Sequence, residues 1–318
     1  MSRYDVVCIG LAILDSIIKG FDPEPVSATG FRAESGTINV GGDAANEAIA
    51  LTKLGMKTAL LCSIGKDPAG NIIAGELERR GVDTGIMIRS EEHPTPITTI
   101  FVTEDGNRRS ITNSAHRYNF HPEQYTDAFR DARAIMLGSL FRAPFNEPEV
   151  IKSVVKAASD NGALVFADTK LPNFRKLSLE DISDSLPMID YITPNEDEGR
   201  YYTGREDPEE MADVFLSAGA RNVIIKLGAR GCLLKNPDIT LRIPAYKISA
   251  IDATGAGDNF IAGFASEILR GSPVRDALQF ATACGAICST AVGAGTALQN
   301  REHVLDYMSA IDNCRTIE

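Results

Sequence analysis

The strongest constraint on this chain is an alternation. Short apolar runs rich in branched side chains recur at residues 6–9, 60–64, 134–137, 164–167, 191–193 and 223–227. Each is too short for a buried helix, so they read as buried, parallel strands. Between and after them lie helix-length stretches with amphipathic spacing, at 44–54, 69–80, 148–161, 208–218, 257–270, 274–292 and 301–311. Strand and helix taking turns in this way predict an α/β layer sandwich around a mostly parallel central sheet. Ligands of such sheets bind beyond the carboxyl ends of the strands.

Two stretches, at about 13–40 and 88–113, break the alternation. The second carries the period-two segment Thr98-Thr99-Ile100-Phe101-Val102-Thr103, a turn at Glu104-Asp105-Gly106-Asn107 and a returning run at 108–112. That is the pattern of a hairpin. With the strand-like residues 36–40 it predicts a small antiparallel sheet projecting from the main body as a lid. No Gly-, Ser- or Pro-rich linker and no internal repeat interrupts the chain, so a single domain over 1–318 with this lid is expected.

With 318 residues, 44% of them hydrophobic, the chain can bury one large core. Its 43 acidic against 32 basic residues give a net charge of -11, which repels nucleic acid and anionic membrane. The densest basic clusters, Arg79-Arg80 and Arg108-Arg109, are only pairs. A small-molecule or protein partner is expected, and neither nucleic acid nor membrane. The six cysteines lack metal-ligand spacing and read as reduced core residues, and the four histidines share no spacing for a metal or a triad. The amino-terminal apolar run is interrupted by Asp15 and has no cleavage pattern, so a cytoplasmic location is expected.

The chemistry concentrates in Asp252-Ala253-Thr254-Gly255-Ala256-Gly257-Asp258, which opens a helix whose buried face is Phe260, Ile261, Phe264, Ile268 and Leu269. Gly255, Ala256 and Gly257 leave backbone amides open at the positive end of the helix dipole, a favourable place for a phosphate. Asp258, in the first turn, is placed to accept a proton from an attacking hydroxyl. Taken alone, the segment reads equally as a tight glycine turn with an acidic helix cap.

It does not stand alone. Gly41-Gly42, with Asn46, Ala48, Ala50-Leu51 and Leu54-Gly55, resembles the amino-terminal signature of the ribokinase family of carbohydrate and nucleoside kinases. The segment from Asp252 to Gly263 resembles that family's carboxyl-terminal signature. The resemblance implies a ribokinase-like fold, a three-layer α/β sandwich with a β-sheet lid. It makes Asp258 the catalytic base, and the amides of Gly255, Ala256 and Gly257 the hole for the transferring γ-phosphoryl group of ATP.

The same resemblance assigns further roles. Asn195 and Glu198, after the run at 191–193, match an Asn and Glu three residues apart that hold Mg²⁺ with the nucleotide phosphates, the Glu through water. Lys226, Gly228 and Gly231 match a nucleotide-contacting loop, with Lys226 standing where Thr is frequent and reaching for phosphates instead. Gly293, in the late loop 292–296, borders the adenine pocket, and Asp252 with Thr254 marks a monovalent-cation site for K⁺. Asp15, Gly42, Asp43, Asn46 and Arg108 face the substrate, while Asp168 and Lys170 lie on the sheet's carboxyl edge near the phosphates.

The expected activity is therefore transfer of the ATP γ-phosphoryl group to a hydroxyl of a sugar or sugar-like molecule. A nucleoside kinase is the nearest alternative, with Phe31, Phe101 and Tyr118 as candidates to face a base. A catalytically silent ligand-binding or regulatory protein is the alternative of another class. Exposed lid strands also offer an edge for pairing into a homodimer.

Overall fold

The structure, a computed structural model, describes residues 2–20, 33–103, 108–113, 120–173 and 175–315, without the side chains of Arg108 and of 311–315. The first third of the chain runs β1 (Tyr4–Ile9), β2 (Ile13–Lys19), β3 (Ser35–Gly41), α1 (Asp43–Lys53), β4 (Thr58–Leu61), β5 (Ser63–Gly65), α2 (Pro68–Arg79), β6 (Ile88–Ser90), β7 (Ile97–Val102) and β8 (Arg108–Thr112). The middle supplies β9 (Ala132–Leu140), α3 (Pro148–Asp160), β10 (Leu164–Thr169), β11 (Tyr191–Thr193), α4 (Glu196–Thr203), α5 (Pro208–Ser217) and β12 (Val223–Lys226). The chain closes with β13 (Cys232–Lys235), β14 (Thr240–Ile243), α6 (Ala256–Arg270), α7 (Val274–Cys288) and α8 (Arg301–Arg315).

The central sheet has the order β14-β13-β12-β11-β10-β9-β1-β4. From β12 to β4 neighbouring strands are parallel, and β13 and β14 add an antiparallel edge. Both faces are covered, which is why the strand sequences read as unbroken apolar runs. Alternate residues serve the two cores. Val6 and Cys8 of β1 pack with residues of α1, α2, α6 and α7, whereas Val7 and Ile9 pack with residues of α3 and α5. Cys8, Cys62, Cys232, Cys284 and Cys288 are free and buried, as expected of core residues. Among the described residues no helix is long and apolar enough to cross a membrane.

The second sheet, β3-β2-β7-β8, is separate from the first and is not antiparallel throughout as expected, because β2 and β7 pair in parallel. Its hairpin register pairs Val102 with Arg108 and Thr98 with Thr112. The turn at 104–107 and residues 21–32 lie outside the described residues. One part of the expected lid belongs elsewhere: β6 pairs with β5 in a separate two-stranded sheet. The helix expected over 274–292 also stops early, at Cys288. There the Ser289 carbonyl is taken by the amides of Ile251 (2.8 Å) and Asp252 (3.3 Å), and the chain turns into a glycine loop.

Helix α6 runs through one of the two cores, with Phe264 fully buried and edge-on to Phe166 and Tyr191 of the sheet at ring separations of 6.2 Å and 4.8 Å. Removing that ring leaves a cavity under the helix that carries the site. Phe264→Ala is expected to lower the unfolding free energy by about 3–5 kcal/mol, read by denaturant titration. Tyr201→Ala, at an exposed position, should change it by less than about 0.5 kcal/mol.

Candidate active site

The carboxyl ends of the parallel strands converge on one place. From β9 comes Ser139, from β10 Asp168 and Thr169 followed by Lys170, from β11 Thr193 with Asn195 just beyond, and from β12 Lys226. Two helix starts face them. Gly42 precedes α1 with φ 96°, and a Cβ there would lie 2.5 Å from the Leu11 carbonyl oxygen, so only glycine fits. Gly255 precedes α6 with φ 78°, and a Cβ there would meet that of Ala294 at 2.4 Å. Both turns aim the first helical residues at the strand ends.

Asp258 and Asn46, 212 residues apart in sequence, meet there, with Asn46 Nδ2 donating to Asp258 Oδ2 at 2.8 Å. The Asp258 side chain is buried. Burial, with repulsion from Asp43 and Asp168, pushes its carboxyl up to about 7 against the opposing pull of Lys170 and the Asn46 hydrogen bond. A base poised near neutral pH suits proton transfer from a hydroxyl. Ala256 and Gly257 line a cavity of about 650 Å³ with Lys226, Gly228, Gly231 and Tyr246. A methyl group placed on Gly257 would lie 3.4 Å from Lys226 Nζ, so an ammonium group stands beside the Gly257 amide; the Ala256 amide is not open as expected, because it donates to the Ala253 carbonyl at 3.1 Å.

Charge is dense behind this point. Asp168 is fully buried and bonded by Lys226 Nζ and by Thr193 Oγ1 (2.8 Å), while Lys170 Nζ lies 3.6 Å from its other oxygen. Burial pushes the Asp168 carboxyl up, but the two ammonium groups outweigh it and hold it below its ordinary value. Burial alone would lower Lys170, yet Asp168 and Asp43 raise it well above the usual range. Asp43 in turn accepts from the Ser139 hydroxyl and lies 3.7 Å from Lys170. Asn195 and Glu198 form a reciprocal cap at the start of α4, each side chain accepting the other's amide at 2.9 Å, and Thr169 Oγ1 also donates to Glu198.

A model of the pfkB family of carbohydrate kinases matches residues 3–301. The chain belongs to that family. It is 28% identical over 277 residues to the ribokinase of Haemophilus influenzae, covering 85% of this chain and 88% of that protein. It is 30% identical over 282 residues to the 2-dehydro-3-deoxygluconokinase of Bacillus subtilis, covering 85% and 86%. The crystal structure of the Thermotoga maritima ribokinase superposes with a TM-score of 0.81 at 26% identity, covering 96% and 99%. This pfkB kinase is thus an ATP-dependent phosphotransferase whose acceptor is a carbohydrate hydroxyl.

The sequence-predicted residues fall into three groups around the pfkB site. Asp15, Gly42 and Asp43 line a cavity of about 270 Å³ with Thr112, Ser139 and Arg142. Burial and the nearby Asp43 push Asp15 up to about 6. Lys226, Gly228 and Gly231 line the cavity beside the α6 amides, but Gly293 does not. Its amide donates to Asp252 Oδ2 at 3.0 Å, which draws the late loop to the lid side, where it borders a different cavity of about 670 Å³. Asp252 and Thr254 are together, the Thr254 amide and hydroxyl donating to Asp252 Oδ1 at 3.0 and 2.6 Å. Arg108 has its backbone in β8 and its side chain outside the description; Phe31, Tyr118 and His116 lie outside the described residues.

One residue of this cluster escaped the sequence reading. Glu47 is fully buried on α1, with no hydrogen-bond partner for either oxygen among the described residues, and its carboxylate gathers with those of Asp168 and Asp258, one oxygen of each within 4.8 Å of the others. Burial and the neighbouring carboxylates push it well above the usual range. Its signal was an acid surrounded by Ala44, Ala45, Ala48, Ile49 and Ala50, which leave it no polar helix face. Because Asp43 raises both Asp15 and Asp258, the acid limb of kcat/KM is expected near pH 7, and Asp43→Asn should move it to lower pH. A pH-rate profile checks the sign; a limb that stays or moves upward contradicts the electrostatic account.

Proposed function

We propose that Asp258 is the general base for phosphorylation of a sugar hydroxyl bound between the lid strand β2 and the ends of β9 and β10. The observation that carries this reading is the buried Asn46–Asp258 pair at the start of α6, one residue beyond the open amides. The acceptor hydroxyl would lie against Asp258 Oδ, within reach of Asp15 and Asp43. As its oxygen bonds to the γ-phosphorus and the bond to ADP breaks, its proton passes to Asp258. The amides of Gly255 and Gly257 and the Lys226 ammonium stabilise the charge that gathers on the phosphoryl oxygens. Little covalent chemistry falls to the protein, so position and charge supply the acceleration.

Mg²⁺ fits the residues present. Glu198 is held by Thr169 and the Asn195 amide through one oxygen, and the buried Asp168 Oδ2 lacks a hydrogen-bond partner among the described residues, a donor set suited to a hard, water-retaining cation. Bound with the nucleotide, the ion would neutralise phosphate charge. Asp252 and Thr254, joined to the Gly293 loop, support a monovalent-cation site as the finer expectation, read by comparing rates in K⁺ and in a bulky organic cation.

The reading is tested by coupling ADP formation to acceptor addition with ATP and Mg²⁺, across neutral sugars, sugar acids and nucleosides. Acceptor-dependent ADP formation that stops in EDTA is expected. Glu198→Gln should raise the Mg²⁺ concentration for half-maximal rate by about 10–100-fold. Full turnover in EDTA, or no compound accelerating ADP formation, contradicts the proposal.

A further inference from the structure

We propose that the acceptor substrate carries a carboxylate, that Arg142 binds it, and that the enzyme is therefore a kinase of sugar acids; this rests on the sugar-kinase reading above. Arg142 leaves β9 through a turn of uncommon backbone. Ser139 and Phe141, neither of them glycine, have φ of 69° and 77°, a conformation that side-chain-bearing residues adopt only against steric strain and that clusters at binding sites. The turn is held by the Arg142 amide donating to the Ser139 carbonyl (2.9 Å) and the Phe141 amide donating to the Phe145 carbonyl (3.0 Å). The buried Phe141 ring stacks on Tyr202 at 4.2 Å.

This strained turn has two products. It sets the Ser139 hydroxyl on Asp43, and it places Arg142 on the wall of the 270 Å³ cavity that Asp15, Asp43 and Thr112 also line. Arg142 Nε donates to the Leu171 carbonyl at 2.6 Å, which fixes the guanidinium plane, and among the described residues neither terminal nitrogen has a hydrogen-bond partner. A neutral sugar needs hydroxyl-pairing groups, which Asp15, Asp43 and Ser139 already supply. A guanidinium held by one edge with its fork open matches a carboxylate through two parallel hydrogen bonds.

Charge separates a carboxylate from a phosphate. Asp15 and Asp43 place two carboxylates on the same wall, and Lys170 is committed to Asp43 and Asp168 at 3.7 and 3.6 Å. Among the described lining residues Arg142 supplies the one uncommitted positive charge. It balances a single carboxylate charge but leaves a phosphate dianion facing two acids. The substrate would therefore extend from its acceptor hydroxyl, at Asp258, past Asp15 to an acid group at Arg142.

The test uses the full chain with ATP and Mg²⁺ and compares gluconate and 2-keto-3-deoxygluconate with glucose, 2-deoxyglucose and fructose 6-phosphate. Calorimetric binding of the same compounds without ATP runs in parallel. The acids are expected to exceed the neutral sugars in kcat/KM by about tenfold or more, and Arg142→Gln should erase that ratio chiefly through KM. Arg142→Lys, which keeps the charge and loses the fork, should fall between them, and it covers the case in which the Gln variant does not fold. A neutral or phosphorylated sugar as the best acceptor overturns the inference. So does an acid preference that survives Arg142→Gln, or a failure of both acids to bind. Acid binding that depends on Arg142 without any turnover would uphold the carboxylate site at Arg142 while overturning the assignment of the acid as the phosphoryl acceptor.

Discussion

The site depends on a compensation of buried charge. Asp168, Asp258 and Glu47 crowd within 4.8 Å at the ends of the parallel strands, where water is excluded. Like charges in so small a volume cannot all ionise without cations beside them. Lys226 and Lys170 supply those cations to Asp168 and hold it ionised. Glu47, with no hydrogen-bond partner for its oxygens among the described residues, is pushed well above the usual carboxylate range by burial and the neighbouring carboxylates. Asp258 is left between these extremes, steadied by one hydrogen bond from Asn46. A group in that position gains and loses a proton near neutral pH, which a general base needs.

The fold exists in a form that makes this cluster affordable. A parallel sheet covered on both faces brings several strand ends to one edge, and each contributes one polar residue beyond an apolar run. The starts of α1 and α6 face that edge, fixed by glycines whose backbone no side chain tolerates. Helix dipoles and open amides then present positive potential where phosphate charge would gather. The second sheet, separate from the first, brings Asp15 to the 270 Å³ cavity that Asp43 and Arg142 also line.

Much of this was legible in the sequence because it is written locally. The six parallel strands of the central sheet contain short apolar runs, the hairpin of β7 and β8 shows its period of two, and Gly255-Ala256-Gly257-Asp258 stands out as four consecutive residues at a helix start, whereas the antiparallel edge strands β13 and β14 carry no such run in the sequence reading. Asn195 and Glu198 were found through the family resemblance, and the reciprocal cap they form shows only in the structure. What stayed hidden depends on contacts between distant segments. Glu47 resembles any helix acid until α6 and β10 close over it. Arg142 looks like an ordinary residue after a strand, because the positive φ values of Ser139 and Phe141 that direct it are set by packing against Tyr202 and not by residue type. The position of the 292–296 loop rests likewise on a contact between distant segments, the Gly293 amide donating to Asp252.

The central claim is that Asp258 acts on the acceptor hydroxyl and contributes little to nucleotide binding. The most direct measurement pairs the single-turnover rate of phosphoryl transfer by Asp258→Asn with its ATP affinity by calorimetry. The account predicts a rate lower by about 10²–10⁴-fold or more, with ATP affinity close to that of the unaltered protein. Transfer at an undiminished rate would contradict it.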